Sequence, residues 1–424
     1  MFAKISQIFN PENKEIRKKI LFVFLSLFVF KLGTTIIVPG VDTESLGTSD
    51  LGFLELINAM GGGALEQFSI FALGVMPYIT ASIIIQLLQM DIVPYLSELG
   101  KQGGTGRAKL NQITRYLGIA LAFIQGYMFS FAFVSGGTPV EYLIFALVLT
   151  AGTSLLLWIG DQMTAKGFGN GISLIIMAGI IANLPTMFVQ AWNGLVSFDT
   201  TQLMVFGIVK FAFFVLLYFG IILGVVFVES AERRIPIQYA NKSISNSSSK
   251  QSYIPFKLNS AGVIPVIFAS TIITIPGVLA QFIKNDSLTL FVSNWLSLTS
   301  VTGFILYVIC IFGFAYFYTF IQLKPRELSD NLNQNGGFIP GIRPGEETVN
   351  YISKVLKRIT TVGALSLSLI AAIPVLFGML SSLPTSVTVG GTGILIVVGV
   401  ALETYKQLSS EVSTRKVARG RRKR

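Results

Sequence analysis

Residues 74–85 read GVMPYITASIII, and residues 262–273 read GVIPVIFASTII. The two segments agree at eight of twelve positions and lie 188 residues apart. Such an internal match is typical of membrane proteins that consist of two structural repeats, although apolar segments also match by chance. We therefore predict that the chain consists of two related halves.

The composition is that of a membrane protein. Hydrophobic residues make up 52% of the 424 residues, charged residues make up 12%, and the mean hydropathy is +0.68. A helix needs about 20 apolar residues to cross a bilayer core of about 30 Å. Ten runs approach that length, near residues 20–38, 69–90, 116–134, 142–160, 172–189, 203–228, 261–283, 303–322, 359–380 and 391–404. We predict an all-α, polytopic membrane protein with ten transmembrane helices.

The two matched segments belong to the second and the seventh of these helices. Because the helices are five crossings apart, they run in opposite directions through the membrane, which predicts an inverted repeat. Each segment contains a proline, Pro77 or Pro265, a few residues before a small polar residue. A proline inside a membrane helix frees a backbone carbonyl. It therefore favours a kinked helix beside a cavity, or an ordinary kink that packs against a neighbouring helix.

Positive charge lies on one side of the predicted bundle. The N-terminal segment 1–19, the tail 406–424 and alternate loops between the helices hold 29 of the 32 Lys and Arg residues. Because Lys and Arg resist translocation, both termini are predicted to be cytoplasmic. The exceptions are Lys31 and Lys210 inside predicted helices and Lys284 in an outer loop. The first apolar run follows a basic stretch, as in a signal peptide, but its length predicts a retained first helix.

Several classes of active site need residues that this chain lacks. The chain has no His and one Cys, which excludes a disulfide framework, a Cys/His metal site and a His-dependent triad. The glycine-rich segments 100–107 and 167–171 lack the spacing of nucleotide-binding loops. The predicted helices hold almost no acidic residues, which disfavours an ion-coupled transporter. We predict no cofactor, no metal and no catalytic residues.

Two predicted cytoplasmic loops, 229–260 and 323–358, are longer than helix hairpins require, and loops of this length are often functional. They carry the arginines that we predict to contact a large cytoplasmic partner: Arg233, Arg234, Arg326 and Arg343. Arg343 lies in a Gly/Pro turn, residues 341–346, that leaves its guanidinium exposed. The alternative for these arginines is binding of lipid headgroups. The basic tail lacks aromatic residues for base stacking, so we expect a disordered polybasic end rather than a specific RNA site.

Two further stretches carry a resemblance to a known family. Residues 69–88 read SIFALGVMPYITASIIIQLL, and residues 158–173 read WIGDQMTAKGFGNGIS. Both look like signature segments of the SecY family, whose members are the central channel subunits of the bacterial Sec protein translocase. The turn at 341–346 resembles the motif of that family in the loop between helices eight and nine. Helix number, orientation and loop sizes agree with the family along the whole chain.

The resemblance implies a clamshell of two five-helix halves, 20–190 and 191–405, around an hourglass pore. It implies a plug near residues 59–71, with Gly61, Gly62, Gly63, Ala64, Leu65 and Phe68. It also implies an apolar pore ring formed by Val75, Ile79, Ile172, Ile176, Ile267 and Ile396. A ring of branched side chains closes around an extended peptide without hydrogen-bonding to it, and dewetting blocks ions. Thr80, Gln125 and Asn259 are similar to polar residues of the family's lateral gate.

The implied function is a passive protein-conducting channel in the bacterial cytoplasmic membrane. Such a channel passes unfolded secretory polypeptides across the membrane and releases hydrophobic segments into the lipid. The implied partners are SecE and SecG as small membrane subunits, the SecA ATPase or a ribosome as the motor, signal peptides, unfolded preproteins and lipid. A secondary transporter and a membrane-embedded enzyme are the alternatives, and the lack of His and of intramembrane acids disfavours both.

Overall fold

The computed structural model describes residues 14–41, 55–90, 92–134, 137–196, 200–239, 252–283, 286–298, 300–381, 383 and 385–422. In chain order, the helices of the described residues are α1 (Lys14–Gly33), α2 (Glu55–Met60), α3 (Met76–Leu88), α4 (Pro94–Lys101), α5 (Gly104–Phe133), α6 (Pro139–Lys166), α7 (Gly171–Leu195), α8 (Thr201–Ser230), α9 (Ile264–Ile283), α10 (Asp286–Trp295), α11 (Val301–Gln322), α12 (Pro325–Gln334), α13 (Glu346–Ser381) and α14 (Thr385–Arg422). The strands are β1 (Glu232–Tyr239), β2 (Ser252–Lys257) and β3 (Gly337–Phe338).

Each of the ten predicted crossings coincides with a helix: α1, α3, α5, α6, α7, α8, α9, α11, α13 and α14. By length and composition, five helical stretches of the described chain are sufficient to cross a membrane: Pro139–Lys166, Gly171–Leu195, Thr201–Ser230, Val301–Gln334 and Glu346–Ser381. Two others, α3 and the first part of α9, are apolar but shorter. The protein is therefore a multi-pass membrane protein whose membrane part is all-α.

Several predicted boundaries are wrong, among them α5, which begins at Gly104 instead of residue 116, and α13, which begins at Glu346 instead of residue 359. α1 ends at Gly33 instead of residue 38, because the chain beyond it pairs with residues 68–70. α3 begins at Met76 instead of residue 69, because residues 61–75 form turns. α14 extends through the basic tail to Arg422, so the expectation of a disordered tail is also wrong. The tail contains no proline, and its Lys, Arg and Glu residues are good helix formers.

The internal repeat extends from the sequence to the backbone. α3 and α9 begin 188 residues apart, as the matched segments do. Each helix follows a glycine in the left-handed region, Gly74 with φ +56° and Gly262 with φ +64°. Pro77 and Pro265 consequently lie in the first turn of their helices, where a missing N–H costs little. The predicted kink at these prolines is therefore wrong, since both prolines begin helices.

The helices pack around two large apolar cores. The first core contains buried side chains of α1, α3, α5, α6 and α7, of residues 60–75, and of α9 and α14. The second core is formed by α7, α8, α9, α11, α13 and α14. Because α7, α9 and α14 contribute to both cores, they connect the two parts of the bundle. α7 continues to Leu195. The predicted boundary between the two halves, after residue 190, therefore falls inside a helix, and a boundary between helices lies after Leu195.

The two long predicted loops fold together into one small unit, the loop unit, which comprises β1, β2, α12, β3 and the start of α13. In its sheet, β1 pairs with β2 on one side and with β3 on the other, both antiparallel. Its apolar core consists of Ile235, Ile237, Phe256, Leu332, Ile339, Ile352, Leu356 and Ile359. Because β1 and β2 belong to one loop and β3 belongs to the other, the sheet holds the two loops together.

The core of the loop unit gives a test by substitution. Ile352 is fully buried in this core, whereas Val362 on the same helix is 54% exposed. We expect Ile352→Ala to lower the free energy of unfolding of the loop unit by about 2–4 kcal/mol, because it removes a buried side chain and leaves a cavity. Limited proteolysis in detergent should cleave this variant faster within 229–260 and 323–358. Val362→Ala should be cleaved at the wild-type rate, and equal protection of both variants would contradict this core.

Candidate functional site

The six side chains predicted to form the pore ring belong to the first apolar core. They lie on α3, α7, α9 and α14 or directly before α3: Val75, Ile79, Ile172, Ile176, Ile267 and Ile396. Five of them are between 1% and 6% exposed, and Ile172 is partly buried against the same core. Ile79 and Ile267 are equivalent positions of the internal repeat. Side chains of both halves therefore meet in one contiguous apolar cluster.

Residues predicted to form the plug pack into the same core. Ala64, Leu65 and Phe68 are at most 2% exposed and belong to this cluster. The glycines at 61–63 are buried or partly buried, and the last two of them have φ of +75° and +83°. Glycine adopts such angles without strain, so the chain leaves α2 through a tight turn. The structure therefore brings the predicted plug and the predicted ring into contact with one core.

Most of the predicted plug consists of turns. α2 ends at Met60, and residues 61–75 form successive turns. Backbone hydrogen bonds join the turns to the chain after α1. Val38 N donates to Phe68 O at 3.1 Å, and Ile70 N donates to Ile36 O at 2.9 Å. These two hydrogen bonds form a short antiparallel pairing, which holds residues 68–70 of the segment against the chain after α1.

The centre of the bundle is apolar. The side chains of the predicted ring and of Ala64, Leu65 and Phe68 in the plug segment are hydrocarbon. Within the described residues, no group of three or more His, Cys, Asp or Glu side chains is suited to hold a metal ion. A narrow apolar constriction resists ions because water does not wet it. This arrangement is suited to a closed pore.

Two of the three predicted gate residues line one cavity. Thr80 on α3 and Gln125 on α5 line a cavity of about 220 Å³, and Thr271 and Thr274 of α9 line it from the other half. The hydroxyl groups of the three threonines each donate to the carbonyl four residues earlier, at 2.7–3.1 Å. Their polar groups are thus satisfied within their own helices. The sequence analysis missed Thr271 and Thr274, although a spacing of three residues places them on one helix face.

Asn259, the third predicted gate residue, makes its contacts elsewhere. Its Nδ2 donates to Glu229 Oε1 at 2.7 Å and to Gly262 O at 2.8 Å. Lys406 Nζ donates to Glu229 O at 2.6 Å. These contacts, here called the Glu229 node, join the end of α8, the entry to α9 and the middle of α14. The sequence analysis missed Glu229 and Lys406, because no local pattern connects residues so far apart in the chain.

Two of the predicted contact arginines lie on β1 of the loop unit. Arg233 and Arg234 are both exposed. The Arg234 guanidinium pairs with the Glu232 carboxylate at 2.7 Å and lies over the Tyr253 ring. The hydrogen bond that Arg234 donates to Glu232 raises the pKa of Arg234 above its ordinary value, so Arg234 stays cationic. The sheet therefore presents fixed positive charge on the surface of the loop unit.

The other two arginines flank the junction of α12 and α13. Arg326 Nη2 pairs with Glu346 Oε1 at 3.0 Å. Arg343 is exposed in the turn before α13, and the Thr348 hydroxyl donates to Arg343 O at 2.9 Å, which fixes the turn. Because β3 pairs with β1, all four arginines belong to one folded unit.

The Glu229 node gives a prediction for stability. Asn259 is 5% exposed and donates to a carboxylate that is itself buried. We expect Asn259→Ala to destabilise the protein by about 1–3 kcal/mol, because Glu229 loses a buried hydrogen-bond donor. A thermal scan in detergent should show a lower Tm than for Asn193→Ala, which changes an exposed residue of α7. Equal Tm values for the two variants would contradict the contribution of this node.

Comparisons with known proteins agree with this arrangement. The SecY family model matches residues 69–405. The chain is 46% identical to the protein translocase subunit SecY of Staphylococcus carnosus (strain TM300), over 97% of this chain and 98% of that protein. It is 45% identical to the protein translocase subunit SecY of Bacillus subtilis (strain 168), over 98% of each.

Solved structures have a similar fold. One is described as "The structure of a protein conducting channel", with a TM-score of 0.67 and 19% identity, covering 92% of this chain and 91% of that chain. Another is Sec61 in the canine ribosome-channel complex from the endoplasmic reticulum, with a TM-score of 0.64, 19% identity and the same coverage of each chain. At this identity the similarity concerns the fold, whereas the curated relatives define the family. The chain belongs to the SecY family.

Proposed function

We propose that this chain is the protein-conducting channel of a protein translocase, and that it passes unfolded secretory polypeptides across the membrane. The observation that carries the proposal is the apolar core in which side chains from the two halves meet the segment after α2. Family membership supports it, because the relatives are named protein translocase subunits. In this proposal the structure represents the closed channel.

The ring acts by shape and by the absence of hydrogen-bonding groups. In the closed state, Ile79 and Ile176 on one side and Ile267 and Ile396 on the other fill the constriction together with the plug. When the plug leaves, an extended polypeptide replaces it. The branched side chains pack around the polypeptide and offer it no donor or acceptor, so it slides without being bound. Because the constriction stays dry around the passenger, ions do not follow it.

The cavity between α3, α5 and α9 is proposed as the lateral gate. A passenger segment of about 20 apolar residues is more stable in lipid than in an aqueous pore. Such a segment leaves sideways when α9 moves away from α3 and α5. The hydroxyl groups of Thr80, Thr271 and Thr274 bond within their own helices, so this separation does not require their hydrogen bonds to break. Gln125 is the polar side chain of this cavity on α5.

The energy for transport comes from a partner in this proposal, because the chain carries no nucleotide motif. The loop unit is the proposed docking surface for the SecA ATPase or for a ribosome, and Arg233, Arg234, Arg326 and Arg343 are the proposed contacts. Two solved structures of similar fold are ribosome complexes, which supports a ribosomal partner. SecE and SecG are the proposed small membrane subunits. The charge distribution supports a bacterial cytoplasmic membrane location with both termini cytoplasmic.

The proposed function is tested by reconstitution. Proteoliposomes that contain the chain and its small subunits should protect a radiolabelled preprotein from protease when SecA and ATP are present. We expect Arg343→Glu to reduce the rate of protection at least about ten-fold, because reversal of a docked charge costs more than 1.4 kcal/mol. Lys166→Glu, at an exposed position outside the loop unit, should retain the wild-type rate. Absence of ATP-dependent protection in the wild type would contradict the channel, and a normal rate for Arg343→Glu would contradict the docking surface.

The proposed plug is tested by its removal. Deletion of residues 59–71 takes Ala64, Leu65 and Phe68 out of the first core and leaves the ring without its plug. We expect the ion conductance of the resting channel to rise about ten-fold or more in planar bilayers, because the dry region becomes shorter and wider. Resting conductance at the wild-type level would place the plug in another segment.

A further inference from the structure

Lys31 makes an unusual contact for a lysine in a membrane helix. It lies near the end of α1, and its Nζ donates to Gly62 O at 3.1 Å. The residue as a whole is exposed, so its carbon stem lies along the outside of α1 while the ammonium reaches inward to the backbone after α2. Lys210 on α8, the other lysine inside a predicted crossing, lies over the Phe206 ring at 4.6 Å instead. Lys31 thus binds the backbone of the segment proposed as the plug.

Asn183 of α7 holds the same segment from a second helix. Its Nδ2 donates to Asn58 O at 3.2 Å and to Ala59 O at 3.1 Å. These carbonyls belong to the last turn of α2, and they also accept backbone hydrogen bonds from Gly63 N at 2.9 Å and from Gly62 N at 3.3 Å. Within the turn, Asn58 Oδ1 also accepts a hydrogen bond from Glu66 N at 3.1 Å. Two different helices thus supply side-chain donors to the backbone of one short segment.

Close contact between the backbones of α7 and the end of α2 fixes where these donors lie relative to their acceptors. A Cβ added at Gly179 of α7 would lie 2.2 Å from Met60 O, so α7 and the end of α2 pack backbone against backbone. A Cβ at Gly62 would lie 3.3 Å from Gly179 Cα. Any outward shift of the segment therefore separates Asn183 and Lys31 from their acceptors together. An ammonium or amide that loses its acceptor without gaining another is costly.

We propose that Lys31 and Asn183 form a latch that keeps the plug segment in the closed position. The proposal rests on the plug function proposed above and names the residues that set its release. Both latch residues and their acceptors lie in the first half of the chain, whereas the ring also takes Ile267 and Ile396 from the second half. Separation of the halves therefore opens the ring without breaking the latch. The latch is an independent energetic step, and it sets how often the resting channel leaks.

The test measures ion conductance of the reconstituted channel without a passenger. Lys31→Met and Asn183→Ala should each raise the resting conductance about ten-fold, because each removes a donor that is present only in the closed state. Lys31→Arg should stay near the wild-type value, since a guanidinium also donates to Gly62 O. Lys210→Met and Asn193→Ala are the matched controls, because they change an intramembrane lysine and a helical asparagine that lie away from the latch.

A further readout separates a latch from a general loss of structure. Motor-driven translocation of a preprotein by Lys31→Met and Asn183→Ala should be at least as fast as by the wild type, because the plug segment leaves the closed position more easily. Wild-type resting conductance in both variants would overturn the latch, as would equal leakage in the controls. If deletion of residues 59–71 raises the resting conductance but neither substitution does, the plug proposal is supported and the latch proposal is contradicted. If the deletion has no effect, the plug itself is wrong.

Discussion

Contact between branched apolar side chains at the centre of the bundle is the constraint on which the remaining structure depends. In a membrane, helices gain little from burying apolar surface against one another, since lipid is equally apolar. Packing must therefore hold the central cluster together, with side chains of α3, α7, α9 and α14 and the segment after α2 in direct contact. Small residues make this contact possible. Gly179 is the clearest example, because its missing side chain lets α7 touch the backbone of α2.

Polar contacts surround this apolar centre and have a different role. The Glu229 node joins α8, α9 and α14, and the paired strands join the two long loops. Lys31 and Asn183 bind the backbone of the segment after α2. The gate cavity differs from these places, because its threonines bond within their own helices. Interfaces with hydrogen bonds between elements therefore separate only when those bonds break, whereas the threonines of the gate cavity set no such condition.

Hydrophobic runs were sufficient to predict the helices, and the internal match was sufficient to predict that Ile79 and Ile267 are equivalent positions. These features depend on local composition and on a repeat that is visible in the sequence. Helix ends were less predictable, because the left-handed glycines Gly74 and Gly262 set the start of α3 and α9. The apolar residues 69–75 read as helix in the sequence, yet the backbone before Gly74 must turn.

Contacts between distant parts of the chain were not predictable from the sequence alone. The strands of the loop unit are short and β3 has two residues, so their pairing depends on tertiary contacts rather than on a local pattern. Asn259 was predicted in the gate because its family position suggested it, but Glu229 and Gly262 satisfy its amide instead. Lys31 was visible as an intramembrane charge, and its acceptor at Gly62 required the folded structure.

The central claim is that a polypeptide in transit passes through the ring formed by both halves. Site-specific photocrosslinking of a stalled preprotein tests it most directly, with a photoreactive residue at Ile79, Ile267 or Ile396 and a control at Leu223, which is 67% exposed on α8. We expect crosslinks to the passenger from all three ring positions and none from Leu223. Crosslinks from Leu223 without crosslinks from the ring would contradict it.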